Sequence, residues 1–179
     1  MHKLTLNHWV EAMAGFENPD VLLTGVAVWE ASVNPDRRVH APHAEWYGTD
    51  AIDQPGVDIV ADLHEIHRKT HLRFDGIFCP SVLEHLERPW IAMQSMADCL
   101  RSGGYLYVDT HHTFPLHYYP DDHFRFSTSA LTTLAKDAGL EVIEAGYDNP
   151  CVIQPPRFVK VWNKAAPAYL SVSITAKKP

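Results

Sequence analysis

Cysteine is scarce in this chain. Its 179 residues hold three (Cys79, Cys99 and Cys151), an odd and scattered set with no Cys-x-x-Cys pair. That excludes a disulfide framework and predicts reduced, mostly buried thiols, as in a cytoplasmic protein. Basic residues are also in deficit, with 15 Lys and Arg against 22 Asp and Glu and a formal net charge of −7. A nonspecific nucleic-acid binder carries a basic face, so no nucleic-acid partner is expected. Long apolar runs are missing too. The longest, Val21 to Trp29, falls well short of the roughly 20 residues that a membrane span needs. The leading MHKLTLNHWVEAMAGF has Glu11 soon after a short apolar segment and no small-residue cleavage pattern, so neither membrane nor export signal is expected. No repeat, low-complexity tract or linker divides the chain, and its length suits one domain over 1–179.

What is present begins with Phe74 to Asp109, FDGIFCPSVLEHLERPWIAMQSMADCLRSGGYLYVD. It reads as a buried strand, a polar strand end, an amphipathic helix, a Gly-Gly stop and a second buried strand. Pro89 suits the first helical turn, and Trp90, Met93, Ala97 and Leu100 fall on one predicted face. Such a βαβ unit places both strands in one parallel sheet. Further strands are predicted over Val21–Ala31, Glu45–Thr49, within VDIVADL, and over Leu140–Ala145 and Ala168–Thr175. Helices are predicted over Asn7–Gly15 and from Ser127 or Thr128 to Ala138. The fold class is therefore α/β, a Rossmann-like three-layer sandwich, with the final two strands as an antiparallel hairpin at one sheet edge.

In open sheets of this kind ligands bind at the carboxyl ends of the strands. Glu30, Asp50, Asp62 and Asp109 fall at or just beyond the ends of successive predicted strands. A carboxylate after the second strand can accept both ribose hydroxyls of an adenosine ligand. Asp62 can accept from an adenine amino group while Leu63 covers the ring, and Glu30 can face an ammonium. The competing reading is that these acids cap helices or solvate turns.

Four segments, EWYGTDAIDQPGVDIVADLHEI (45–66), FDGIFCPSVLEHLERPW (74–90), LRSGGYLYVDTHHTFPLHYYPDDHFRFS (100–127) and LTTLAKDAGLEVIEAG (131–146), resemble class I S-adenosylmethionine-dependent methyltransferases. The likeness is to the small bacterial type 11-like methyltransferase-domain proteins linked to sugar or surface-polysaccharide chemistry. It implies a seven-stranded, mostly parallel sheet with an antiparallel last strand. It also implies S-adenosylmethionine as cofactor and methyl transfer to a small-molecule acceptor. On this resemblance Asp50 contacts ribose, Asp62 and Leu63 contact adenine, and Pro80 and Ser81 lie along the methionine part. The departure is at the first strand, where the family carries an acid and a glycine-rich turn. Here VWEASVNPDRR keeps the acid as Glu30, with Ala31, Ser32 and Asn34 replacing glycines. Each Cβ there narrows the turn. The alternative is thus a methyltransferase-like protein with a degenerate cofactor site, serving as a binding or assembly partner.

An oxygen acceptor also needs a base, and histidine is the natural one near neutral pH. His112 and His117 are the first candidates, with His85 behind them. His111, Tyr119, Asp121 and Arg125 are candidate substrate contacts in a loop, 111–127, expected to act as a lid. Two other readings stand beside this. The loop aromatics can form a satellite core with Arg125 paired to Asp121 or Asp122. The histidines and aspartates can also hold a metal, although their spacing matches no HExxH helix, and no metal is expected. Substrate selection falls to 111–127, to a 148–166 loop, or to a neighbouring subunit. Trp162 and Pro155-Pro156 are candidate contacts with a homodimer mate.

Overall fold

The computed structural model describes residues 4–26, 37–118, 121–155 and 165–179. Along the chain come α1 (Leu4–Ala14), β1 (Asp20–Thr24), a 3-10 turn (Arg37–His40), β2 (Glu45–Asp50), β3 (Ile59–Val60), α2 (Ile66–Lys69) and β4 (Phe74–Pro80). A second 3-10 turn (Leu83–His85) leads to α3 (Pro89–Cys99), β5 (Leu100–His111), α4 (Thr128–Asp137), β6 (Glu141–Ile153) and β7 (Ala166–Lys177).

The strands form one seven-stranded sheet in the order β3-β2-β1-β4-β5-β7-β6. β1 pairs in parallel with β2 on one side and β4 on the other. β3 and β5 continue the parallel pairing outward, and β7 runs antiparallel to both β5 and β6. The α/β class and the antiparallel last strand expected from sequence are both borne out. The last two strands form the antiparallel hairpin expected at one sheet edge. β7 is interior and β6 takes the edge, which matches β7's buried run from Ser171 to Ala176 against the half-exposed β6.

Period-two alternation sends neighbouring strand residues to opposite layers. Val21, Phe78 and Tyr107 join Trp9 and Met13 under α1. Leu22, Ile77, Cys79, Leu106 and Val108 instead meet Met93 and Met96 of α3 and Leu131 and Ala135 of α4. Trp9 and Met13 of α1 are fully buried. No helix among the described residues is long and apolar enough to cross a membrane.

Four sequence expectations give way here. The first strand ends at Thr24 rather than at Ala31. Trp90 is 51% exposed rather than buried. The face of α3 turned to the sheet is Ala92, Met93, Met96 and Ala97, and Trp90 in the first turn points past it. The Gly103-Gly104 pair does not stop α3, which ends at Cys99. It lies within β5, where the pairing with β4 shifts register between Phe74 and Gly76. Finally, residues 148–153 belong to β6, paired with β7 from Ala166 onward, so the expected 148–166 loop is shorter. Pro156 and Trp162 lie outside the described residues.

Gly48 in β2 shows how closely the sheet end is packed. Its N–H donates to Asp58 Oδ2 at 2.7 Å, and a Cβ there would lie 2.1 Å from the Gly56 carbonyl oxygen. Backbone cannot retreat cheaply, so Gly48→Ala is expected to destabilise the protein by about 2 kcal/mol or more. Urea unfolding of the variant against wild type measures this.

Candidate functional site

The sheet reverses its direction of growth at β1, which has β2 on one side and β4 on the other. That is a topological switch point, where a crevice opens beyond the carboxyl ends of the strands. Gly25 closes β1 there with φ +68°, and its N–H donates to the Thr49 carbonyl at 3.0 Å. A Cβ at Gly25 would lie 2.6 Å from Val82 Cγ2, so the turn out of β1 lies against the turn out of β4. The sequence reading passed over this glycine because the apolar run continues through it.

At the end of β4, Ser81 takes the left-handed conformation, φ +51°, unusual for a residue with a side chain. Its N–H donates to the Asp109 carbonyl at 2.7 Å, which fixes the end of β4 to the end of β5. Asp109 is nearly buried, and Tyr107 donates its hydroxyl to Asp109 Oδ2 at 3.2 Å. Burial, with the Asp109 carboxylate second, pushes the Tyr107 phenol far above its ordinary range. A cavity of about 190 Å³ opens at this point, lined by Pro80, Ser81, Asp109, His111 and Asn149 among others. Asn149 was not among the candidates. It too is left-handed, φ +57°, and its amide donates to Ser171 Oγ at 2.9 Å. The Asn149-Pro150 step was the turn signal that could have flagged it.

Beside the cavity sits a buried carboxylate to which the sequence reading gave no role. Glu84, in the turn after β4, has no exposed surface. Its Oε2 accepts from Thr110 Oγ1 at 2.6 Å, and its backbone carbonyl accepts from His123 and Phe124 N–H at 2.8 and 3.2 Å. Its Oε1 lies 3.2 Å from His111 Nε2 and 3.8 Å from His85 Nε2. Burial raises its carboxyl pKa, opposed by the Thr110 hydroxyl. His111 moves the other way, to about 4, through burial and then the adjacent His117. His111 is therefore neutral near pH 7.

A family model described as a methyltransferase domain matches residues 24–145. This chain belongs to the methyltransferase-domain family. No curated protein matches it in sequence. Solved structures share the fold at low identity. A SAM-dependent methyltransferase from Archaeoglobus fulgidus superposes with TM-score 0.68 at 15% identity, over 97% of this chain and 91% of that one. The Burkholderia thailandensis 1,6-didemethyltoxoflavin-N1-methyltransferase, with bound 1,6-didemethyltoxoflavin and S-adenosylhomocysteine, gives 0.63 at 13%, over 98% and 79%. The SAM-bound magnesium protoporphyrin IX methyltransferase from Synechocystis gives 0.59 at 16%, over 98% and 78%. The family resemblance drawn from sequence is borne out.

Within this methyltransferase domain the remaining candidates fall into separate groups. Asp50, at the end of β2, is half-buried and accepts from Ile52 N–H at 3.2 Å. Asp62 Oδ1 accepts from the His64 N–H at 2.9 Å and contacts His64 Nδ1 at 2.6 Å. These contacts outweigh burial and lower the Asp62 pKa. Leu63 beside it is buried. Glu30, Ala31, Ser32 and Tyr119 lie outside the described residues.

The loop after β5 is pinned from within. Arg125 donates to both carboxylate oxygens of Asp122 and to the carbonyls of Phe114, Pro115 and Phe124. The Asp121 carbonyl contacts His85 Nδ1 at 2.5 Å. His112 Nδ1 meets the Phe126 carbonyl at 2.6 Å, and its ring lies on Tyr147. His117 packs edge-on against both His85 and His111. Among the described residues lining the cavity are His111 and Phe114, but not His112, His117, Asp121 or Arg125.

The Asp122 carboxylate is fully enclosed, and the Arg125 guanidinium first, then the His117 N–H, hold its pKa well below the carboxylate range. A depressed carboxylate contributes stability above its unfolded value of about 4, and loses it as pH falls through the lower folded value. Arg125→Ala should cost about 3 kcal/mol at neutral pH. The gap to wild type should narrow below about pH 4, as read by urea melts across pH.

Proposed function

We propose that this chain transfers a methyl group from S-adenosylmethionine to a small-molecule acceptor within the cavity at the ends of β4 and β5. The observation that carries the reading is His111, which lines that cavity with a buried carboxylate behind its ring at 3.2 Å. The donor set fits the cofactor's chemistry. Asp50 is an acceptor for ribose hydroxyls, Asp62 and Leu63 offer a carboxylate beside an apolar surface for adenine, and Pro80 and Ser81 border the space for the methionine part. When bound, the cofactor supplies an electrophilic methyl on a sulfonium.

The protein's own part is alignment, exclusion of water and removal of the acceptor proton. A neutral His111 takes that proton, and the Glu84 carboxyl group stabilises the imidazolium that results, as a carboxylate does in other histidine pairs. His112 is less suited, because its Nδ1 is engaged by the Phe126 carbonyl. The 111–127 loop, tied down by Arg125, closes the cavity as a lid, with Phe114 stacked on His111 at 4.0 Å. The wider 1–179 chain acts as one domain, with acceptor choice made by this loop and the β6–β7 end.

Calorimetric titration with S-adenosylmethionine and S-adenosylhomocysteine tests the cofactor half. Asp50→Ala should weaken binding roughly tenfold to a hundredfold, the loss of a charged acceptor. His111→Gln should leave cofactor binding within a few-fold and lower turnover about a hundredfold or more. No heat and no thermal shift with millimolar ligand would leave the binding-partner reading in its place.

A further inference from the structure

Outside the cavity, one group of side chains is oriented for a ligand that methyl transfer does not require. Glu84, His85 and His117 each bring one ligand atom to within 4.8 Å of the other two. They come from two separate stretches of chain, the turn after β4 and the loop after β5. Glu84 and His85 are each held by a partner that leaves the inward atom unused. Thr110 donates to Glu84 Oε2, while the buried Oε1 accepts no hydrogen bond. The contact of His85 Nδ1 with the Asp121 carbonyl requires the proton on Nδ1, so the lone pair is on Nε2, the nitrogen turned toward Glu84 Oε1. The His117 backbone N–H donates to Asp122 Oδ2, and its buried Nδ1, 3.7 Å from the same carboxylate oxygen, makes no hydrogen bond.

A carbonyl-oriented imidazole and a hydroxyl-oriented carboxylate are the outer contacts that commonly prepare metal ligands. Two buried unpartnered atoms within one such group are costly unless something satisfies them. A proton on Glu84 would answer for one of the two. A cation held by the carboxylate and the two imidazoles answers for Oε1 without giving up the negative charge.

We infer that Glu84, His85 and His117 form a binding site for one divalent transition metal of the zinc class. The donor set, one carboxylate oxygen and two imidazole nitrogens, suits zinc or a related ion and disfavours magnesium, which prefers oxygen alone. Three protein ligands leave an open position. His111 contacts the same carboxylate and lines the cavity, so the metal would sit one imidazole away from the acceptor. It would also fasten the 111–127 loop to the end of β4.

The test uses the full, tag-free chain stripped with chelator and titrated with Zn²⁺ by calorimetry, with Co²⁺ absorption as a second readout. One equivalent should bind, with visible bands of a low-coordinate Co²⁺ and a rise in Tm. His85→Ala and His117→Ala should each weaken binding at least tenfold and abolish the bands, whereas His71→Ala, an exposed histidine away from the group, should change neither. Glu84→Gln should act likewise where circular dichroism shows it folded. Absence of a one-equivalent site, or a site indifferent to His85 and His117, overturns the inference. S-adenosylmethionine titrated in the presence of chelator reports on the cofactor site separately, so either idea can fail without the other.

Discussion

The carboxyl edge of this sheet depends on how one buried acid is held. Burying a carboxylate costs several kcal/mol unless its lone pairs are used. Glu84 meets that demand at Oε2 alone, with the Thr110 hydroxyl from β5, while its backbone carbonyl takes the His123 and Phe124 N–H groups from the returning loop. The same residue thereby decides where the turn after β4 sits, where β5 ends and how the 111–127 loop folds back. His111 and His85 converge on it as a consequence, and His117 follows through its contacts with both rings. The cavity, the proposed base and the proposed metal group share this single anchor.

Much of the fold was legible because its signals are local. Apolar runs at the right spacing marked the central strands, and helix periodicity marked α3 and α4, with Ser127 capping α4 as its residue type suggested. The seven-stranded, mostly parallel sheet with its antiparallel last strand followed from the resemblance. The errors came where apolar character and geometry part company. The run from Val21 continues beyond Thr24, so hydropathy carried the strand past Gly25, although the left-handed turn there ends it. Trp90 looked like a buried anchor, but one position of helical phase places it in solvent.

The site was legible only in outline. Strand-end acids are visible in sequence because they are local features, and Asp50 and Asp62 do stand at strand ends. Convergence of side chains from distant segments is not local. Glu84 and Thr110 are 26 positions apart, and nothing in VLEH says that its glutamate is buried while its histidine is turned by the Asp121 carbonyl. Loop histidines were ranked by position, and position alone does not distinguish His112, engaged by a carbonyl, from its neighbour His111, which lines the cavity.

The loop also shows that one set of residues can serve packing and chemistry together. Arg125 carries the hydrogen bonds of a structural staple, and Phe126 joins the main core. The expected pairing of Arg125 with Asp122 is found, but Phe124 and Phe126 pack on the main core and Tyr118 is exposed, so these aromatics form no satellite core. Yet rigid support is what a reactive histidine needs, since an unconstrained imidazole would rarely face an acceptor in the productive orientation. The internal ties of Phe114, His117, Asp122 and Arg125 and the exposure of His111 to the cavity are therefore not rival descriptions. The first makes the second geometrically useful, because Asp122 and Arg125 hold the His117 backbone and the chain around Phe114, and those two residues flank the His111 ring.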